Sequence, residues 1–291
     1  MAHPILYYLL PIQMELNRFI ETFGAAYITS RANPKVTALA KLPERKFREA
    51  TGLYLAEGVK LTEEALASGI RPETVLFSES FAVTDTAVLL AENSARTGAP
   101  VTVLSDSAFR KISTEQSPEG IIAVLPTGGE LCRTDGFADW QAGRRLLMLD
   151  GIRDPGNLGT ILRSAEALGT DGVILSDCAD LYNPKTVRAA MGALFRLPVY
   201  RTDDAAGIIR EMRRLGRRVL AAALGEHTLT LGGFETRDTD CAVIGNEGHG
   251  LSRDVIDACD AALRIPMTGG AESLNAAAAS VCILWEYARA R

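Results

Sequence analysis

The stretch that most constrains this chain is 150–169, DGIRDPGNLGTILRSAEALG. The apolar residues Leu146 to Leu149 precede it, a run short enough for a buried strand. Gly151, Asp154, Pro155 and Gly156 then make a turn-rich loop. Asn157 is placed to cap a helix whose apolar positions are Leu158, Ile161, Leu162, Ala165 and Leu168, with Gly169 as its stop. Such a strand–loop–helix unit presents backbone N–H groups at the helix start, suited to an anion or a polar ligand. Asn157 and Arg163 differ by roughly 600° of helical rotation at ~100° per residue, so they share no helix face. They converge only if Asn157 sits in the loop or at the cap and Arg163 reaches back toward the N-terminus.

At 291 residues the chain is long enough for two domains. Residues 1–13, MAHPILYYLLPIQ, are apolar without Lys or Arg, too short to span a bilayer, and lack both a basic leader and a cleavage site. They read as an extension that packs, or as sequence upstream of a start at Met14, and 1–27 is set apart as an N-terminal extension. Residues 28–126 alternate short strands (53–58, 74–77, 101–104, 121–125) with helices (59–67, 85–96), a small α/β domain without a catalytic constellation. The segment 127–143 is short of regular pattern and reads as a linker to a second domain, 144–291. There, strands are expected at 172–175, 197–200, 218–223 and 241–245 and helices at 184–194 and 205–215.

Five scattered cysteines without a CxxC pair point to reduced thiols in a cytoplasmic protein, and away from zinc or a disulfide framework. The net charge of −5 does not mark a nucleic-acid protein as a whole, so any nucleic-acid contact must come from local patches. Between Arg31 and Lys60 there are seven Lys or Arg against three acids. Arg31, Lys35, Arg45, Lys46 and Arg48 are the candidate nucleic-acid contacts there, with a solvated helix face as the plainer reading. A second basic run, from Lys185 to Arg218, has nine against three; its crowding at a helix end is partly explained by the helix dipole.

Two further stretches join the first. Residues 243–252, VIGNEGHGLS, read as a strand entering a Gly-rich turn, and 265–275, IPMTGGAESLN, as a strand, a loop and the start of a last long helix. In this order and spacing the three stretches resemble the motifs of the SpoU (TrmH-like) RNA ribose 2′-O-methyltransferases of the SPOUT superfamily. The resemblance covers roughly 145–291, with a fainter match at 28–125 to the family's substrate-binding domain. It implies a C-terminal α/β-knot domain with a deep trefoil knot, and a smaller N-terminal L30e-like domain that binds substrate. True knots are close to excluded by general fold rules, so this expectation comes from the resemblance alone.

The resemblance also implies S-adenosyl-L-methionine as cofactor, structured RNA as substrate (ribosomal rather than transfer RNA), a homodimer, and neither membrane nor metal. The catalytic positions match Asn157, Arg163, Glu247, Ser273 and Asn275. Cofactor contacts match Leu224, Gly225, Gly245, Ile265 and Leu274, with Gly248 and Met267 flanking them. The glycines suit a close backbone approach to a flat adenine, and neither a dinucleotide fingerprint nor a phosphate-cradling loop is present. Arg163 is assigned to activate the 2′-hydroxyl, yet a guanidinium is effectively always protonated. Either it is neutral beside the donor's sulfonium, or it binds phosphate and polarises the hydroxyl while another group takes the proton. In the last helix, Val281, Leu284, Trp285 and Ala288 fall at helical spacing: one apolar side packs on its own domain and a second suits a dimer. The alternatives are a non-catalytic RNA-binding protein of the same fold, a tRNA-directed enzyme, and a nucleotide-dependent oxidoreductase, which the missing fingerprint disfavours.

Overall fold

The computed structural model describes residues 14–128, 132–133, 145–223, 227–246, 248–271 and 273–289. Residues 1–13 and most of the expected linker 127–143 lie outside them. The chain divides into two compact units, 1–127 and 128–291.

The first unit runs α1 (Leu16–Phe23), β1 (Ala26–Ile28), α2 (Pro34–Leu39), α3 (Arg45–Thr51), β2 (Leu53–Glu57), α4 (Val59–Ala67), β3 (Thr74–Ser78), α5 (Glu79–Ala82), α6 (Asp85–Thr97), β4 (Val101–Leu104), α7 (Asp106–Ile112) and β5 (Ile121–Pro126). Its sheet has the order β1-β4-β3-β5-β2, with β1, β4 and β3 parallel and β5 antiparallel to both its neighbours. Strands β3, β4 and β5 are apolar almost throughout because helices cover both faces. Val75, Phe77 and Val103 point into one core with α1 and α6; Leu76, Leu104 and Val124 point into the other with α2 and α7. The expected 1–27 extension is corrected here. Phe19 of α1 is fully buried against Phe77, and β1 pairs with β4, so residues 16–28 belong to this unit.

The second unit runs β6 (Cys132–Arg133), β7 (Leu146–Asp150), α8 (Pro155–Ala167), β8 (Gly172–Ser176), α9 (Pro184–Ala190), a 3-10 turn (Ala193–Phe195), β9 (Val199–Thr202), α10 (Ala205–Arg214), β10 (Val219–Ala221), β11 (Thr228–Thr230), β12 (Cys241–Ile244), α11 (Arg253–Ala258), β13 (Ala261–Arg264) and α12 (Ala276–Arg289). All its strand pairs are parallel, in the order β11-β13-β10-β12-β7-β8-β9-β6. Alternate residues of the central strands serve opposite faces. Leu146, Met148 and Val243 join the core under α10 and α11. Leu147 and Leu149, also fully buried, fall on the opposite face.

Three expectations shift. The helix expected at 184–194 ends at Ala190, where Met191 and Gly192 both take left-handed backbone before the 3-10 turn. The strand expected to open at Ile265 is complete by Arg264, which leaves Ile265 at the start of the loop. The second basic run is largely spoken for internally. Arg213 pairs with Asp260 at 2.8 Å, Arg214 with Glu211 at 2.8 Å, and Arg217 is 5% exposed. Arg218 makes a two-pronged pair with the fully buried Asp240, at 2.9 and 2.5 Å, and its hydrogen bonding to that carboxylate raises the guanidinium pKa above its ordinary value.

Removing one member of a buried pair strands the other charge. Arg218→Met is therefore expected to destabilise the second unit by ~3 kcal/mol, read as a lower denaturant midpoint with an unchanged m-value.

Candidate active site

In the second unit's sheet the strand order switches between β7 and β12, with all strands parallel. From β7 the chain steps to β8 and β9 on one side, and β10, β13 and β11 lie beyond β12 on the other. Loops leaving the carboxyl ends of two such strands diverge and open a crevice, the usual ligand position in sheets of this kind. The three motif stretches supply its walls: the loops after β7, after β12 and after β13.

The first wall departs from expectation in its cap. Asp154, not Asn157, is the N-cap of α8: its Oδ1 accepts the Asn157 N–H at 2.8 Å, with Pro155 at the first helical position. The Asp–Pro pair is itself a helix-start signal, and it outranks Asn157 three residues on. The hydrogen bond from Lys185 and then the Asn157 amide hold the Asp154 carboxyl below the usual carboxylate range. With Asn157 inside the helix, Arg163 stands about 120° away from it around the axis. Arg163 is exposed and has no hydrogen-bond or ion-pair partner among the described residues. Close helix packing fixes α8 itself, since a Cβ on Gly159 would lie 2.5 Å from the Thr186 carbonyl of α9.

The second wall is a turn built on a residue outside the expected site, Asn246. Its Oδ1 accepts the Gly248 and His249 N–H groups at 2.8 and 3.1 Å, while its Nδ2 donates to the Gly151 carbonyl at 2.7 Å. One side chain thus closes the turn after β12 and ties it to the loop after β7. Backbone bonds between Asn246 and Gly250 complete the turn. Gly245 is needed because a Cβ there would lie 2.7 Å from the backbone of Gly250 and Leu251. Its space is taken by the turn itself.

The third wall is the loop 265–275. Ile265 is half-buried, and Ser273 is exposed. Met267 and Leu274 are 41% and 39% exposed, large apolar side chains open at the crevice. Asn275 starts α12, its Oδ1 accepting the Ala277 and Ala278 N–H groups at 2.9 and 3.3 Å. Its Nδ2 donates to Asn157 Oδ1 at 3.2 Å, so the structure does bring these two site residues together. Leu224, Gly225 and Glu247 lie outside the described residues. Cys178, between β8 and α9, gives its S–H to the Leu149 and Ser176 carbonyls, and burial pushes its pKa up to about 11. It stays a thiol at neutral pH, so a thiolate nucleophile is not part of this site.

In the first unit the candidate RNA contacts divide. Arg31, Lys35, Arg45 and Lys46 are exposed; Arg45 pairs with Glu49 at 2.7 Å and Lys46 with Glu44 at 3.2 Å. Arg48 is 3% exposed, and its Nη1 donates to the Leu42 and Pro43 carbonyls at 2.7 and 2.6 Å. It ties α3 to the preceding turn and is unavailable to RNA. Among the described residues, no group of His, Cys, Asp and Glu is arranged to hold a metal ion.

A parallel sheet with three loops gathered where its strand order switches, carrying amide, hydroxyl and guanidinium groups, has the architecture of a ligand-binding α/β domain. The comparisons make that particular. Residues 144–285 match the SpoU rRNA Methylase family, and 33–123 match the MRM3-like substrate binding domain. The 23S rRNA (guanosine(2553)-2′-O)-methyltransferase RlmP of Bacillus subtilis is 34% identical over 89% of this chain and 97% of its own. The 23S rRNA (uridine(2479)-2′-O)-methyltransferase of Streptomyces viridochromogenes is 31% identical over 96% of this chain and 97% of its own. The AdoMet-bound rRNA methyltransferase from Sinorhizobium meliloti superposes with a TM-score of 0.78 at 30% identity, over 91% of this chain and 98% of that one. The chain belongs to the SpoU (TrmH) family of methyltransferases.

Asn246→Asp tests the tie between the first two walls. It keeps the acceptor for Gly248 and His249 but points a carboxylate oxygen at the Gly151 carbonyl. The expected result is loss of S-adenosylmethionine affinity by at least tenfold in calorimetry, with a stability cost of about 1–3 kcal/mol.

Proposed function

We propose that this protein transfers the methyl group of S-adenosyl-L-methionine to a ribose 2′-hydroxyl of ribosomal RNA. The observation that carries the reading is the 3.2 Å bond between Asn275 and Asn157, which places the helix starts after β13 and β7 edge to edge beside the Asn246 turn. Polar groups that orient a hydroxyl thereby adjoin a loop with exposed apolar side chains that suit an adenine.

The residues fit the cofactor. Met267 and Leu274 offer open apolar surface, and the half-buried Ile265 backs them. When bound, S-adenosylmethionine supplies an electrophilic methyl group on a sulfonium. The protein's part is to hold the acceptor oxygen in line and keep water out, since positioning alone can account for about 7–11 kcal/mol of a barrier. In this reading Asn157, Ser273 and Asn275 orient the ribose and its phosphate, and Glu247 orders the site. Arg163, a donor-only group, polarises the 2′-hydroxyl. Leu224 and Gly225 line the cofactor with Gly245, Ile265 and Leu274.

The finer architecture belongs to the same reading. The loops after β10, β12 and β13 form the trefoil knot, an assignment supported by β10 lying between β13 and β12 in the sheet. Residues 16–126 form the L30e-like domain, whose exposed Arg31, Lys35, Arg45 and Lys46 meet RNA phosphates. Val281 and Trp285, one turn apart on α12 and 39% and 59% exposed, form part of a homodimer face. The protein works in the cytoplasm, with its cysteines reduced.

Arg163→Ala separates a catalytic guanidinium from a solvated one. An exposed helical arginine is replaced at a cost within about 0.5 kcal/mol. The melting temperature and S-adenosylmethionine affinity are expected to hold while single-turnover methylation falls at least ~10²-fold. Arg163→Lys should recover little, because an ammonium does not reproduce the planar fork. Near-normal single-turnover rates in Arg163→Ala would remove Arg163 from the chemistry.

A further inference from the structure

Lys185 stands where the first turns of α8 and α9 meet. Its stem crosses Gly156: a Cβ there would lie 3.0 Å from Lys185 Cε and 2.8 Å from Asp154 Oδ1. Its ammonium donates to Asp154 Oδ2 at 2.7 Å, while the other oxygen of that carboxylate caps α8. Lys185 and Asp154 are 58% and 45% exposed at the side chain, and an ion pair so open to water adds little to stability. A pair this open to water can part at small cost, so the cation is available to a stronger anion.

The surroundings favour one. Gly156 and Arg163 are a heptad apart on α8, within about 20° of the same face and roughly 10 Å apart along the axis. Helical side chains lean toward the N-terminus, which brings the Arg163 guanidinium back toward Lys185. Arg163 has no partner among the described residues, and Arg153, in the loop before α8, is exposed and paired only with the exposed Asp177. Asn157, joined to Asn275, follows Gly156 in the chain and lies about 100° around the helix from it.

We propose that Lys185 is a phosphate-binding residue of the RNA site: its ammonium leaves Asp154 for a backbone phosphate of the nucleotide next to the target ribose, beside Arg163 on the same face of α8. This rests on the methyltransferase reading and names the group of the substrate that Lys185 takes. Asp154 is then a built-in competitor that holds the lysine over Gly156 when RNA is absent.

Two variants give opposite signs. Lys185→Met keeps an unbranched stem over Gly156 and removes the charge. Asp154→Asn keeps an equally good cap and removes the competing carboxylate. Binding of protein-free large-subunit ribosomal RNA is measured across 50–200 mM salt, with S-adenosylmethionine affinity read separately by calorimetry. Lys185→Met is expected to weaken RNA binding and flatten the slope of log K against log salt by about 0.7–0.9, and Lys185→Arg to restore both. Asp154→Asn is expected to tighten RNA binding, and the cofactor affinity to hold in all three. A wild-type slope in Lys185→Met overturns the proposal. So does Asp154→Asn weakening RNA binding alongside it, the mark of a pair that only props the loop. A wild-type protein that binds no S-adenosylmethionine would overturn the activity reading instead, and the slopes would still decide Lys185.

Discussion

The second unit depends on the pairing of β7 with β12. Cys241 lies opposite Leu146 and Ile244 opposite Leu149, in a ladder whose members are far apart in the chain. Because both strands are covered on both faces, a slip of one residue would turn Met148 and Val243 out of one core and Leu147 out of the other. Register is therefore set by burial, and with it the height at which the two loops leave the sheet. The Asn246 side chain converts that register into a site by spanning from its own turn to the Gly151 carbonyl. Its amide serves as donor on one side and double acceptor on the other, so no residue of like size performs both halves.

What the sequence discloses follows from what each element depends on. β7, α8, β8 and β12 are legible because apolar periodicity and turn residues agree there. The basic segment around α2 and α3 hides its helices, since neither is as long as two full turns beyond its cap and charges dominate the pattern. The site is legible as a set of residues but not as an arrangement. Asn157 reads as a cap because a polar residue precedes an apolar run, while the actual cap, Asp154, sits three residues earlier with proline behind it. The role of Asn246 leaves no local trace, because its partner carbonyl belongs to a loop 95 residues away in sequence.

Charge shows the same division more sharply. Composition counts Arg48, Arg213, Arg217 and Arg218 as candidate phosphate ligands, and the fold uses all four for itself, on carbonyls or carboxylates. A long side chain with five donors is as useful for closing a helix end or a strand start as for gripping RNA. Only partners decide, and those of Arg213 and Arg218 stand 47 and 22 residues away. The cations left at the crevice rim, Arg153, Arg163 and Lys185, are fewer and sit where the loops converge.

The long span between β7 and β12 also has a consequence in time. During synthesis the strand and helix that carry Asn157 and Arg163 emerge well before the strand that must lie beside them, and parallel pairings of such separation are slow to form. Until β12 arrives, one edge of β7 is a row of unpaired N–H and C=O groups flanked by apolar side chains, open to any other strand in the crowded space near the ribosome. The nascent chain thus passes through an interval in which the strand beneath its future site lies open to the wrong partner.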